Sequence, residues 1–181
     1  MAVGFYIDSN KCYGCQTCQV ACKCEKSTAP GVNMRLVRRF AEEEPRSLST
    51  LSMACNHCSN PVCVSRCPVG AYSKEPSGIV LQNHDLCIGC RQCIEVCPYN
   101  CPQFDPVARK TSKCSYCIER FTQGLPLRCV ESCPGDCLDS GTMEQLSAKY
   151  EGVQEIPGVT PPASITSPNI IINPARPHRS V

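Results

Sequence analysis

The stretch Cys87-Ile88-Gly89-Cys90-Arg91-Gln92-Cys93-Ile94-Glu95-Val96-Cys97-Pro98 decides how the rest of the chain is read. Three thiols stand two residues apart, a fourth follows after three more, and Pro comes next. A loop of this form can wrap three corners of an inorganic cube, its backbone amides turned toward the inorganic sulfurs. The fourth thiol leaves the loop on a short helical turn and reaches a neighbouring cube. Pro cannot continue that helix and turns the chain away.

Three more quartets lie outward of this one. Cys12-x2-Cys15-x2-Cys18-x3-Cys22 repeats the spacing, but Lys23 stands where Pro would be. Cys55-x2-Cys58-x4-Cys63-x3-Cys67-Pro68 widens one gap, and Cys114-x2-Cys117-x11-Cys129-x3-Cys133-Pro134 widens it further. The quartets use 16 of the 19 Cys. Cys24, Cys101 and Cys137 are left over and read as small buried filler.

Composition narrows what the thiols can do. The 181 residues are 42% hydrophobic only because that class includes the 19 Cys, and there is no Trp. A large aliphatic core is excluded, so something covalent or inorganic must hold the chain. No apolar run approaches membrane-spanning length, and a net charge of +2 argues against a dedicated nucleic-acid binder. The opening Met1-Ala2-Val3-Gly4-Phe5-Tyr6-Ile7-Asp8 shows neither a basic stretch before an apolar core nor twin Arg. Taken alone it is expected to leave the chain in a reducing compartment, where disulfides are rare. An odd number of Cys cannot pair completely within one chain. Zinc is the other alternative, and the 114–133 quartet alone would read as a zinc ribbon. Zinc knuckles supply two ligands each and have no use for a third thiol close behind, yet three quartets have one within five residues. Iron–sulfur clusters are the expectation.

The quartets also organise the chain. An Asp precedes the first thiol in Asp8-Ser9-Asn10-Lys11-Cys12 and in Asp85-Leu86-Cys87. Two quartets make one ferredoxin-like unit, so four read as two such modules. Arg35–Phe40 is rich in strand formers with imperfect alternation. Ala71-Tyr72, a turn at Lys74–Gly78 and Ile79-Val80-Leu81 read as a hairpin. Ala41–Ser47 reads as a charged, solvated loop. Thr142-Met143-Glu144-Gln145 is a capping box, and Gly152 suits the C-terminal cap of a helix near 143–150. Residues 151–181 carry six Pro and one apolar patch, Ile170-Ile171-Ile172. The patch reads as the anchor of an arm lying along a partner. The expected fold is α+β: two interlocked bacterial ferredoxin-like modules, each with two [4Fe–4S] sites, with short strands and helices over residues 1–140. A helix and an irregular Pro-rich C-terminal extension over 141–181 follow.

The segments Cys55-Asn56-His57-Cys58-Ser59-Asn60-Pro61-Val62-Cys63, Cys87–Cys93 with Cys97-Pro98-Tyr99, and Cys129-Val130-Glu131-Ser132-Cys133-Pro134 resemble the iron–sulfur B subunit of the dimethyl sulfoxide reductase family of molybdopterin oxidoreductases. The resemblance covers roughly residues 4–140, and Pro168–Ile172 resembles that subunit's tail. The stretch between the first two quartets looks shorter than in that subunit, and the pattern does not need the three extra Cys.

The resemblance implies a crossed ligation. One cluster would take Cys12, Cys15, Cys18 and Cys133, and a second Cys55, Cys58, Cys63 and Cys97. A third would take Cys87, Cys90, Cys93 and Cys67, and a fourth Cys114, Cys117, Cys129 and Cys22. The outer module would then be quartets 12–22 and 114–133, the inner one quartets 55–67 and 87–97. All sixteen positions being Cys, four [4Fe–4S] clusters are expected. The resemblance also implies a molybdopterin-binding catalytic subunit and a small integral-membrane quinol subunit as partners, with no nucleic acid. Membrane association and any export would come through those partners. The implied function is electron relay, with no catalytic residue in this chain. Relay in a hydrogenase-linked or formate dehydrogenase chain, or as a free polyferredoxin, is the alternative. Against the free carrier stands the long extension past the last quartet.

Lys11, Lys23, Arg66, Arg91, Lys113 and Arg128 sit beside thiols. A positive neighbour favours the reduced cluster and raises its potential, and Arg91 is the main candidate for this tuning. His57 lies inside the second quartet, where it either donates a hydrogen bond near the cluster or packs.

Overall fold

Val3-Gly4-Phe5-Tyr6-Ile7-Asp8 forms strand β1 (Val3–Asp8), buried along its whole length. Such a continuous apolar run belongs to a strand flanked and covered on both faces, and β1 is the middle of a three-stranded sheet. The computed structural model describes residues 2–41 and 48–175. The charged stretch Ala41–Ser47, from residue 42 on, lies outside the described residues, as does the end of the tail from residue 176.

After β1 come α1 (Thr17–Glu25), the hairpin β2 (Arg35–Ala41) and β3 (Leu48–Ala54), α2 (Val62–Ser65), and the hairpin β4 (Tyr72–Lys74) and β5 (Val80–Gln82). Then follow α3 (Gln92–Val96), the hairpin β6 (Gln103–Asp105) and β7 (Lys110–Ser112), α4 (Ile118–Thr122), α5 (Arg128–Glu131), β8 (Leu138–Thr142), α6 (Met143–Lys149) and β9 (Ile170–Asn173). The protein is a small α+β fold in which the helices are short and each hairpin separates two cysteine segments.

Strand β8 runs antiparallel to β1, with Ile7 opposite Leu138 and Val3 opposite Thr142. Strand β9 runs parallel to β1 on the other side, with Phe5 opposite Ile170 and Ile7 opposite Ile172. Phe5, Ile7, Ile170 and Ile172 join the main core, which the cysteines share. Tyr6 and Ile171 point the other way and pack with Leu146 of α6, and Tyr6 stacks on Tyr150 at 3.7 Å.

This corrects the reading of the isoleucines as a partner anchor. Ile170 and Ile172 are 1% and 0% exposed within their own chain, each worth about 1.5–3 kcal/mol of burial. Before reaching β9, the tail runs along the second cysteine loop. Ser59 and Asn60 donate their N–H groups to Ser167 and Thr166 carbonyls at 2.8 and 3.0 Å, and Asn169 Nδ2 donates to the His57 carbonyl at 2.7 Å. The extension is therefore part of the fold, and its length no longer argues against a free carrier.

The hairpin expected around Lys74–Gly78 is present as β4–β5, and Thr142 and Gln145 form the capping box of α6. Gly152 does not cap that helix, whose cap residue is Tyr150 in an extended conformation. Gly152 is required for another reason: a Cβ there would lie 2.5 Å from the Ile172 carbonyl oxygen. Asp8 and Asp85 are not equivalent either. Asp8 Oδ1 accepts the N–H of Asn10 at 2.9 Å, and the residue doing this before the third quartet is Asn83, whose Oδ1 accepts from Asp85 N at 2.8 Å. Each stands four residues before its first thiol.

Candidate metal centres

All four C-x2-C loops have the same backbone turn. The residue before the second thiol has a positive φ in each: Gly14 (75°), His57 (44°), Gly89 (69°) and Tyr116 (59°). That conformation points amides inward at the sulfurs. Tyr116 N donates to Cys114 Sγ at 3.4 Å. In the two loops of regular spacing a second left-handed residue, Gln16 or Arg91, starts the helix that carries the third thiol. Gly89 cannot be otherwise, because a Cβ would lie 2.3 Å from the Arg109 carbonyl oxygen.

Thiols distant in sequence meet. Cys55, Cys58 and Cys63 line a cavity together with Cys97, which the third quartet supplies, and with Cys101. Cys87, Cys90 and Cys93 line another together with Cys67, from the second quartet. At the other pair, burial pushes the Cys22 thiol up to about 12, with Cys129 and Cys117 close enough to add to the shift. Burial likewise raises Cys18, which feels Cys129 and Cys133. Exposed ion pairs run between the same segments, Lys26 to Glu119 at 2.6 Å and Arg128 to Glu25 at 3.4 Å.

Other thiols are drawn toward the thiolate. A hydrogen bond from Cys137 and the Gly14 N–H help hold Cys12 down to about 5. Cys101 and the N–H groups of Tyr99, Asn100 and Cys101 hold Cys97 down to about 6. Deep burial pushes Cys63 up to about 12 and Cys58 to about 11, so iron must displace protons at these positions. The donor set suits an iron–sulfur cube: each cavity has three thiols of one loop and a fourth from the other quartet, with Cys101 as a fifth sulfur at the first, in loops that turn backbone N–H groups inward.

Of the basic residues beside thiols, most have other partners. Lys23 Nζ donates to the Ala29 and Val32 carbonyls at 2.6 and 3.1 Å. Standing where the other quartets have Pro, it ties down the loop that follows α1. Arg91 lies over the Phe104 ring at 3.7 Å. Arg128 pairs with Glu131 at 2.7 Å. Lys113 is buried and donates to the Val80 carbonyl and to that of Cys114. His57 is fully buried. Burial and Lys113 keep its ring well below the ordinary range, and its Nδ1 accepts the Val80 N–H at 3.0 Å.

The residue that sequence reasoning missed is Arg35. It is 2% exposed and donates to Ser52 O and Oγ at 3.0 Å each. Burial works against its charge, but the surrounding sulfurs of Cys129, Cys18, Cys114 and Cys22 outweigh it. The signal was in the imperfect alternation of Arg35–Phe40: the charge that breaks the strand pattern faces thiols.

Paired loops of this geometry define a ferredoxin-type iron–sulfur protein, and residues 47–143 match the model of the 4Fe–4S dicluster domain family. More particularly, the protein belongs to the family of iron–sulfur B subunits that serve the dimethyl sulfoxide reductases and related reductases, and its cofactors are 4Fe–4S clusters. It is 37% identical to the B subunit of the anaerobic dimethyl sulfoxide reductase of Haemophilus influenzae, over 94% of this chain and 88% of that protein. It is 38% identical to the Escherichia coli protein of the same name, with the same coverage of both. The B subunit of the polysulfide reductase of Wolinella succinogenes is 37% identical, over 94% of this chain and 93% of that protein.

Proposed function

We propose that this chain is a non-catalytic electron-transfer subunit. It relays electrons through four [4Fe–4S] clusters between a membrane quinol-handling subunit and a molybdopterin-containing catalytic subunit. Names of relatives that are each the B subunit of a reductase support the assembly. Membrane association then comes through the partners, since no helix among the described residues is long and apolar enough to cross a membrane.

The ligand sets are crossed: Cys12, Cys15, Cys18 with Cys133; Cys55, Cys58, Cys63 with Cys97; Cys87, Cys90, Cys93 with Cys67; Cys114, Cys117, Cys129 with Cys22. Quartets 12–22 and 114–133 form an outer module, and quartets 55–67 and 87–97 an inner one. Residues 141–181 are an extension, and its described part, to residue 175, packs on them. The observation that carries the inner crossing is the pair of cavities to which the other quartet adds a thiol; the outer crossing is proposed by analogy with it.

A 4Fe–4S cluster supplies a one-electron site whose charge change is spread over iron and sulfur. The protein holds the sulfurs, aims amides at them and excludes water. The order of the relay follows from exposure and contact. Cys15 and Cys90 are exposed, so the Cys12 and Cys87 loops supply the two ends. Cys114 feels Cys55, and the His57 and Tyr116 rings of the two middle loops meet edge-on at 5.4 Å.

Cys67→Ser tests the crossing. It should remove or convert the cluster of Cys87, Cys90 and Cys93 and leave that of Cys55, Cys58 and Cys63 intact by electron paramagnetic resonance. Damage at the second site alone would refute the ligand sets.

A further inference from the structure

Cys137 is left over once the quartets are assigned, yet it has a definite place. Three quartets end in one kind of turn, Cys67-Pro68-Val69-Gly70, Cys97-Pro98-Tyr99-Asn100 and Cys133-Pro134-Gly135-Asp136. In each, the N–H of the last residue donates to the cysteine carbonyl, at 3.3, 3.1 and 3.3 Å. In each, that last residue has a positive φ, which Gly, Asn and Asp tolerate best. The turn brings the next residue back to the cysteine it started from. At position 71 this is Ala, and its N–H donates to Cys67 Sγ at 3.3 Å. At positions 101 and 137 it is a second Cys.

Both extra thiols meet the cysteine they return to, but Cys101, which bonds Cys97, also has a backbone acceptor, the Ala54 carbonyl, at 3.1 Å. Cys137 Sγ lies 3.2 Å from Cys133 Sγ, and its other thiol partner is Cys12. Both partners belong to one proposed ligand set. A cysteine bound to iron carries no proton, so in the loaded protein the hydrogen between these sulfurs belongs to Cys137.

We propose that Cys137 is a positioning residue for the cluster of Cys12, Cys15, Cys18 and Cys133: its thiol donates a hydrogen bond to the ligand sulfurs and raises the potential of that cluster. A donor to a ligand sulfur favours the state with more negative charge, which is the reduced one. One electron is gained on reduction, and the thiol proton stays on Cys137 throughout. The proposal rests on the ligand sets above.

The test is a redox titration of the intact complex, followed by electron paramagnetic resonance, with iron counted per chain. Cys137→Ala should keep the parent iron content. At fixed potential it should lower the reduced-to-oxidised ratio of one cluster about tenfold, which is about 59 mV for one electron. Cys137→Ser keeps a donor and should hold that potential at or above the parent value. If the Ala variant does not assemble, the Ser variant decides: a potential below the parent overturns the proposal, and one at or above it supports it. Unchanged potentials in Cys137→Ala overturn it. Loss of one cluster in both variants also overturns it, because Cys137 would then be a ligand. A parent complex lacking four clusters would instead refute the ligand sets, a separate outcome read from the iron count.

Discussion

The first and third cysteine loops and the second and fourth share one backbone turn but use it differently. The regular loops place Gly14 and Gly89 at the positive-φ position, and each leaves its second thiol, Cys15 or Cys90, exposed. The irregular loops place His57 and Tyr116 there, both at most 1% exposed. A bulky residue in that conformation stores about 1–3 kcal/mol of strain. Tyr116 offsets it by packing on Phe5 at 5.1 Å and by donating its hydroxyl proton to the Gly4 carbonyl at 2.8 Å. The cluster loop therefore does not dictate its own setting. With Gly it makes an open edge, and with a ring it becomes part of the core.

Removing the iron should have the largest effect, and it should erase the distinction. The core shares its interior with thiols in both kinds of loop. The metal-free chain should lose most of its native circular dichroism, because ligation supplies much of the folding energy. Retention of native dichroism by the iron-free protein would mean that the interior rings, rather than metal, hold the middle loops.

Substitution within the loops comes next. Tyr116→Ala should cost about 3–5 kcal/mol, as large core aromatics do. Tyr13→Ala, at a 63% exposed ring in the first loop, should stay within about 0.5 kcal/mol. Denaturant titration followed by the brown absorbance measures both. Equal losses would break the division into edge and interior.

Much of this was legible in the sequence, because iron–sulfur ligation writes itself in spacing. The four quartets, the β4–β5 hairpin and the capping box of α6 follow from local rules, and local rules do not depend on what packs against them. What was not legible depended on distant partners. Ile170-Ile171-Ile172 looked unpartnered because the strand that receives it, β1, lies at the opposite end of the chain. Gly152 looked like a helix cap, whereas its role is to admit the Ile172 carbonyl of β9. Arg35 read only as part of a strand with imperfect alternation. Its burial becomes visible only when α1 and α5 bring their thiols around it. Arg91 drew attention by being next to thiols in sequence, although adjacency says nothing about where a guanidinium points.

That last pair sharpens the comparison in the cluster potentials, where the expected shifts are smallest. Arg91 is exposed and stacked on Phe104, so its charge faces solvent, where screening is strong. Arg91→Ala should cost about 0.5–1 kcal/mol from the lost cation–π contact and leave all cluster potentials where they were. Arg35→Met removes a cation that solvent does not screen, among the Cys18, Cys22, Cys114 and Cys129 sulfurs. It should lower the potentials of the clusters those sulfurs hold and destabilise the protein by about 3–5 kcal/mol, the cost of leaving buried charge without its partner. A redox titration of both variants separates the two positions. A shift in Arg91→Ala as large as in Arg35→Met would show that the exposed edge is tuned by charge as strongly as the interior, and the contrast between the two kinds of loop would then be one of packing alone.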